Sequence, residues 1–295
     1  MKKVLIFILT SALAFGLKAQ EKPIAKIHYE FKHVNDTTQR ENFLKDEVVT
    51  YLGQEGSYYT SYSAERVSED IKKQRENSAF NGVINLIKST TAISRSYILF
   101  PKEEKLLELA QVTTDRFIIE AEYPKQEWEI HDETKDIGGY SCQKATTSFK
   151  GRNYTAWFTT ELPFPFGPWK LHGLPGLILT AVDDKNEVSF EYIGFDKMPE
   201  DTFVKIAPSE DAILSTEVEI AKIEKAFKDN PEAYFKSKQN RISASGAKVT
   251  TTLVGRPSSS SGSLGGVNAI TSVNVKKDSN YKPSNVTNNP IELKP

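Results

Sequence analysis

The sequence has one cysteine, Cys142, among its 295 residues. A chain with a single cysteine cannot form an internal disulfide, so its hydrophobic core alone has to stabilise the fold. A catalytic thiol would need a histidine and an orienting group within reach, and the sequence around Cys142 supplies no such pair. We therefore expect Cys142 to be a small buried side chain.

An excess of one charge is also absent, because 38 basic side chains stand against 39 acidic ones and the formal net charge is −1. The body of the chain is acidic, and residues 255–295 are mildly basic. An acidic body repels a phosphate backbone, so we expect no nucleic-acid partner.

A long apolar run is the third absence. The run at positions 4–9 is short of the roughly 20 residues that a spanning helix needs. It follows two lysines and leads to a small residue, Ala19, before Gln20, which is typical of a secretory signal. We expect a signal peptide at 1–19, cleaved near Ala19-Gln20, and no transmembrane segment in the mature chain. The protein would then be exported to the periplasm or the cell surface.

Short strands dominate the remaining pattern. Ala25–Lys32 alternates apolar and polar residues with period two, as in a half-buried strand. Because turns rather than long helices separate such runs, they predict an antiparallel sheet. The fold class is mainly β (α+β), an antiparallel curved sheet or open half-barrel with one or two helices packed against it. Similar runs recur at 47–51, 97–100, 117–122, 142–149, 154–159, 177–182 and 188–193.

One helix is well marked, because Thr216 and Glu219 form a capping-box pair ahead of an apolar stripe. Pro231 can start a second short helix, and 64–77 is either a charged helix or a loop. From Gly255 the composition turns to Ser, Gly and Asn, as in a flexible linker. The chain therefore divides into the signal peptide at 1–19, a single β-rich domain at 20–254 and a flexible tail at 255–295, predicted to be disordered.

The segment 162–179 combines prolines, glycines and aromatic residues that cannot form a regular central strand. Leu174-Pro175-Gly176-Leu177 predicts a type II turn with a positive φ at Gly176. The apolar side chains of this loop either pack down on the sheet or line a binding surface. On the second reading, the binding candidates are Phe164, Phe166, Trp169 and His172.

The other histidines offer little chemistry. His28 and His33 are five residues apart, so on one strand they face opposite sides, and we expect structural or solvated roles. His131 lies in a predicted exposed turn. The sequence has no Gly-rich phosphate loop, nucleophile elbow or zinc-binding HExxH motif, so we expect no catalytic constellation, metal or cofactor.

The hexapeptide Gly173, Leu174, Pro175, Gly176, Leu177 and Ile178 resembles the signature of the GLPGLI family of exported Bacteroidetes proteins. Further stretches similar to that family are 137–145, 149–152, 156–159 and 289–293. The resemblance implies an arrangement like that of periplasmic lipoprotein carriers, and it transfers no catalytic residue. Asp36-Thr37-Thr38 is also similar to the O-glycosylation acceptor motif of that phylum, with Thr37 as the acceptor.

Three functions remain open at this point. The leading hypothesis is a non-enzymatic cell-envelope protein that binds a lipid, another apolar ligand or an envelope protein partner through its concave face and aromatic loop. The alternative is a hydrolase that uses His172 with Asp183 or Asp184 as acid–base partners. The third is an assembly or structural factor that docks through its tail.

Overall fold

The computed structural model of the protein describes residues 21–88, 92–244, 270–277 and 281–293. The predicted signal peptide at 1–19 lies outside these ranges, and so does the Ser/Gly-rich run 257–266 of the predicted tail.

Twelve of the described strands form one sheet, in the order β13-β7-β6-β5-β3-β2-β1-β12-β11-β10-β9-β8. Its neighbours are antiparallel, except for the short parallel pair of β13 and β7. Among the described residues the edge strands β13 and β8 do not pair with each other, so the sheet stays open. The predicted fold class is confirmed. The strands of this sheet are β1 (Ala25–His33), β2 (Leu44–Leu52), β3 (Ser57–Ser61), β5 (Arg95–Phe100), β6 (Lys105–Val112), β7 (Asp115–Ala121), β8 (Glu129–Ile137), β9 (Tyr140–Phe149), β10 (Arg152–Thr159), β11 (Leu177–Asp183), β12 (Val188–Lys197) and β13 (Ile213–Leu214).

Two further strands pair apart from this sheet. They are β4 (Val83–Lys88) and β14 (Ser272–Lys277), which are parallel to each other. Strand β14 and residues 281–293 belong to the predicted tail, and the structure places both against the preceding part of the chain.

The helices are α1 (Ser63–Glu76), α2 (Glu217–Asp229) and α3 (Pro231–Ala244), with a short 3-10 turn at Pro101–Glu103. The capping box predicted at α2 is present, because Thr216 and Glu219 exchange side-chain and backbone hydrogen bonds. Ile220 of α2 packs on Ala110 and Phe117 of the sheet. Within the described ranges, no helix is long and apolar enough to cross a bilayer.

The sheet has two chemically different faces, and strand β1 shows why. Ile27, Tyr29 and Phe31 are at most 1% exposed and lie in the main hydrophobic cluster. Lys26 and His28 alternate with them and therefore point to the opposite side. We call the side of Tyr29 the core face and the side of His28 the outer face.

The loop 162–176 covers the core face. The Thr50 hydroxyl donates to the carbonyl oxygen of Gly167 at 3.1 Å, and the backbone N–H of Ile178 on β11 donates to the carbonyl oxygen of Phe166 at 3.0 Å. Leu171 and Leu174 are 1% exposed. Hydrophobic burial and these two bonds hold the loop as a second layer on the sheet.

The predicted type II turn at 174–177 is wrong. The positive φ, 92°, lies at Gly173 and not at Gly176. Gly176 is needed for another reason: a Cβ there would lie 2.0 Å from the carbonyl oxygen of Thr159 on β10. The prediction failed because a Pro-Gly pair indicates a turn, whereas here the neighbouring strand passes too close for any side chain.

Candidate acid–base site

The four predicted binding residues lie mostly inside the protein. Phe166 is 2% exposed, and Trp169 and His172 are 6% exposed. The Trp169 ring packs edge-on against Phe149 at 5.6 Å between ring centroids, and the half-buried Phe164 lies 6.4 Å from Phe195. These side chains form part of the core in this conformation, and binding of a ligand by the loop stays a prediction.

The structure does not assemble the predicted acid–base pair of His172. Its Nε2 atom bonds to the carbonyl oxygen of Pro124 at 2.7 Å, and burial lowers the pKa of the imidazole. Asp183 instead accepts from Arg152 at 2.7 Å, and Asp184 accepts from Asn153. In the described part of the chain, no hydrogen bond joins His172 to either aspartate.

Two other predicted positions can be located. Cys142 is 1% exposed, and burial raises the pKa of its thiol to about 11, as expected for an inert side chain. Thr37 is exposed, and its hydroxyl donates to Asn288 Oδ1 at 3.2 Å. Modification of Thr37 stays a prediction.

A different histidine, His28, stands at the centre of a polar cluster on the outer face. Strand β1 supplies two of its members, β2 and β12 supply one each, and the other three are the residue before α1 and two residues of α1. The His28 site, as we call it, consists of Lys26, His28, Glu47, Tyr62, Arg66, Glu69 and Asp196.

His28 lies between two carboxylates. Its Nδ1 atom is 3.1 Å from Oε1 of Glu47, and its Nε2 atom is 3.6 Å from Oδ2 of Asp196. Edge-on packing against Tyr62, at 4.4 Å between centroids, fixes the plane of the imidazole. The Glu47 side chain is 19% exposed and that of Asp196 is 62% exposed, so one carboxylate is interior and the other faces solvent.

A second set of bonds fixes the phenol of the site. The Tyr62 hydroxyl donates to Glu69 and accepts from Lys26 Nζ, which is 3.0 Å away. Arg66 bonds to the second carboxylate oxygen of Glu47. The histidine, the phenol and the interior carboxylate therefore each have a partner that restricts their movement.

The pKa shifts assign a protonation state to two of these groups. Burial alone would raise the pKa of Glu47, but hydrogen bonds from His28 and Arg66 outweigh it and lower the pKa. Burial and the carboxylate of Glu69 raise the pKa of Tyr62 well above its ordinary value. At neutral pH Glu47 is therefore ionised and Tyr62 is a neutral hydrogen-bond donor.

The site borders open space. A cavity of about 200 Å³ lies against it, and a neighbouring cavity of about 400 Å³ shares Lys26, Tyr62 and Glu69 with it. The second volume falls within the range of roughly 300–1,000 Å³ that is common for ligand pockets. The pairing of β1 with β12 has a bulge directly after His28, and bulges often reorient side chains at functional sites.

The His28 site can carry out proton transfer. A histidine oriented by an ionised carboxylate can accept a proton at its free nitrogen and return it. Within the described residues, no group of three or more His, Cys, Asp or Glu side chains is placed to hold a metal ion.

Sequence reasoning missed this site because its members are far apart along the chain. Lys26, His28 and Glu30 do show polar residues at alternate positions of a predicted strand, which was the one available signal. The pairing of β1 with β2 and β12, which adds Glu47 and Asp196, cannot be read from single strands.

The comparisons with known proteins give one family. Its model is described as "N-glycanase peptide, N-terminal domain" and matches residues 74–194, less than half of the chain. Two crystal structures of PNGF-II, in space groups P21 and C2, are similar at 16% identity and a TM-score of 0.45, each over 69% of this chain. The alignments cover 33% and 32% of those chains, so this chain spans about a third of their length. No curated protein sequence matches significantly.

Two predictions are corrected by the family match. The expected membership of the GLPGLI family is wrong, because residues 74–194, which include the hexapeptide Gly173–Ile178, match the N-glycanase family instead. Local geometry at Gly173 and Gly176 accounts for both glycines of the hexapeptide. The expectation of a non-enzymatic protein that binds an apolar ligand or an envelope partner is also wrong, because the match favours the hydrolase alternative.

Proposed function

We propose that this chain acts in the hydrolysis of N-linked glycans on glycoproteins, with the His28 site as its acid–base centre. The observation that carries the proposal is His28 held between Glu47 and Asp196 beside a cavity. The family match supports the substrate class, an N-linked glycan rather than a lipid. His28, Glu47 and Asp196 lie outside the matched residues 74–194, so their roles rest on geometry.

Each group has a defined role in this proposal. Glu47 accepts a hydrogen bond from Nδ1 of His28, which leaves Nε2 free to take a proton from an attacking water. The imidazolium that forms is stabilised by Glu47 and then returns the proton to the leaving nitrogen or oxygen. The exposed Asp196, 3.6 Å from Nε2, is placed to orient the water.

The test is glycan release from a denatured N-glycosylated protein and from a fluorescent N-glycopeptide, followed by mass spectrometry. We expect the wild-type chain to release glycan and His28→Asn to lower the rate by roughly 10²–10⁴-fold. Glu47→Gln should lower it as well. His131→Asn is the matched control, because His131 bonds to Thr146 and not to the site.

The outcomes separate the two parts of the proposal. No release by a folded wild-type chain would overturn the hydrolase assignment. If His28→Asn releases glycan at the wild-type rate, the His28 site is not the acid–base centre, although the chain is still a hydrolase. The mass of the peptide product shows which bond is cleaved, because cleavage at the side-chain amide converts Asn to Asp, whereas cleavage between sugars leaves one sugar behind.

A second candidate function is glycoprotein binding for a catalytic centre on another domain. It is favoured by the short span of the match and by a cavity of about 710 Å³ between β6, β7 and residues 203–212. Two aromatic side chains line this cavity, Tyr58 and Phe203, and Phe203 is 98% exposed. Arg116 forms an ion pair with Asp211 at its rim. Calorimetric titration with an N-glycopeptide should show binding that Phe203→Ala weakens and His28→Asn does not.

A further inference from the structure

One end of the sheet holds an arginine whose side chain is 1% exposed, Arg152. In an antiparallel sheet the end of β1, the start of β10 and the turn between β11 and β12 all meet at the same edge. Arg152 lies there with Asp183 and Glu187, at 2.7 and 3.2 Å from its Nη1 atom. His33, at the end of β1, completes this group.

The remaining hydrogen bonds of Arg152 go to a segment that follows far along the chain. Its Nη2 atom donates to Asn289 Oδ1 at 2.7 Å and to the carbonyl oxygen of Pro290 at 2.8 Å. Its Nε atom donates to the carbonyl oxygen of Ile291 at 2.8 Å. One buried guanidinium thus contacts three consecutive residues of a single peptide segment.

The side chain of Asn289 is recognised at both of its polar atoms. Its amide nitrogen donates to the carbonyl oxygen of Val34 and to Glu187, at 2.8 and 2.9 Å, while its oxygen accepts from Arg152. His33 Nε2 bonds to its backbone carbonyl at 2.7 Å. An aspartate at this position would bring a second negative charge to Glu187, so the site favours asparagine.

The neighbouring residues of the segment have matching partners. Glu292 forms an ion pair with Lys170, whose side chain is 9% exposed. Gly151 makes room for Leu293, because a Cβ on this glycine would lie 2.8 Å from that of Leu293. Earlier in the segment, the side-chain amide of Asn35 donates to the carbonyl oxygens of Ser284 and Val286.

We infer that this edge of the sheet is a peptide-binding site, and that residues 284–293 occupy it as an intramolecular ligand. The ligand class is a peptide with the order Asn, Pro, aliphatic, acidic. Most of the hydrogen bonds to it reach its backbone or the Asn289 side chain, so a free peptide of the same sequence can replace the segment.

The test uses the full chain with a protease site introduced at positions 278–280, between β14 and the segment. After cleavage, a fluorescent synthetic peptide of residues 281–295 is titrated in, and the C-terminal fragment is followed by size exclusion and mass spectrometry. We expect the peptide to bind and the fragment to be displaced at residues 281–293. An Asn289→Ala peptide should bind at least about tenfold more weakly, because it loses hydrogen bonds to charged groups.

Asn285→Ala is the matched control peptide, since Asn285 is exposed; it should bind like the wild type. In the uncleaved chain, hydrogen exchange across 284–293 should rise with Asn289→Ala and not with Asn285→Ala. Failure of the free peptide to displace the segment, or equal weakening by both substitutions, would overturn the inference. Loss of the far-ultraviolet circular dichroism signal on displacement would do the same, because the segment would then be part of the folding core.

Discussion

Replacing Arg152 by methionine tests how the buried charges at the sheet edge are balanced. The side chains of Arg152 and Asp183 are 1% and 0% exposed, and their contact distance is 2.7 Å. Methionine keeps much of the volume and removes the charge, which leaves Asp183 and Glu187 without their shared cation. Breaking a buried pair in this way costs about 3–5 kcal/mol of unfolding free energy.

Arg40→Met is the matched control, because Arg40 pairs with the same carboxylate, Glu187, at 2.8 Å but has a side chain that is 49% exposed. Exposed pairs contribute less than about 1 kcal/mol. Urea unfolding followed by circular dichroism should show a lower midpoint for Arg152→Met at an unchanged slope. If Arg40→Met and Arg152→Met lower the free energy of unfolding equally, the reasoning is refuted.

The cost of Arg152→Met should also depend on pH. In the wild type, burial alone would raise the pKa of Glu187, but hydrogen bonds from Arg40, Arg152 and Asn289 lower it below its ordinary value of 4.5. The stabilisation from Glu187 is therefore complete above pH 4.5 and is lost as the pH falls through the lowered pKa. In the variant, acid neutralises the Glu187 carboxylate left without Arg152, so the stability gap should be largest near neutral pH and shrink towards pH 4. A gap that is constant with pH would contradict this account.

Further predictions address the fold and the thiol. Gly176→Ala should lower the free energy of unfolding strongly, because the added Cβ would lie 2.0 Å from the carbonyl oxygen of Thr159. Gly194→Ala should lower it by no more than about 0.5 kcal/mol, because a Cβ at that position would have no atom within 4 Å. Urea unfolding midpoints compare the two variants. Thr216→Ala removes the capping box of α2 and should cost about 1 kcal/mol, measured in the same way. Cys142, with a thiol pKa of about 11, should not react with Ellman's reagent at pH 8 until the protein is unfolded; rapid reaction in the folded state would show that the thiol is accessible.

Much of the sheet can be predicted from the sequence, because period-two alternation reports burial of one strand face. Seven of the eight predicted strands lie within observed strands, and the eighth, at 117–122, runs one residue past the end of β7. Capping chemistry likewise predicts α2, because Thr216 and Glu219 act within one turn. These signals are local, so they predict where strands and helices form but not which of them lie next to each other.

The His28 site and the segment at 284–293 could not be predicted in this way. The first depends on strand order, which brings Glu47 and Asp196 to either side of one histidine. The second depends on backbone carbonyl oxygens that accept hydrogen bonds from Arg152, and every residue has such a carbonyl, so the amino-acid sequence does not mark it. Composition alone predicted a flexible tail, because apart from Tyr281 it has no aromatic residue.

The open sheet explains why the aromatic loop packs inwards and the polar chemistry lies on the other side. An unclosed sheet has to cover its apolar face, and here the loop 162–176, helix α2 and the segment at 284–293 do so. A ligand at the core face would have to displace one of these layers. On the outer face, strands β1 and β2 and helix α1 leave cavities beside His28, with the exposed Asp196 at the edge. A substrate can reach this side without opening the core, and for that reason we place the acid–base centre on the outer face rather than at the aromatic loop.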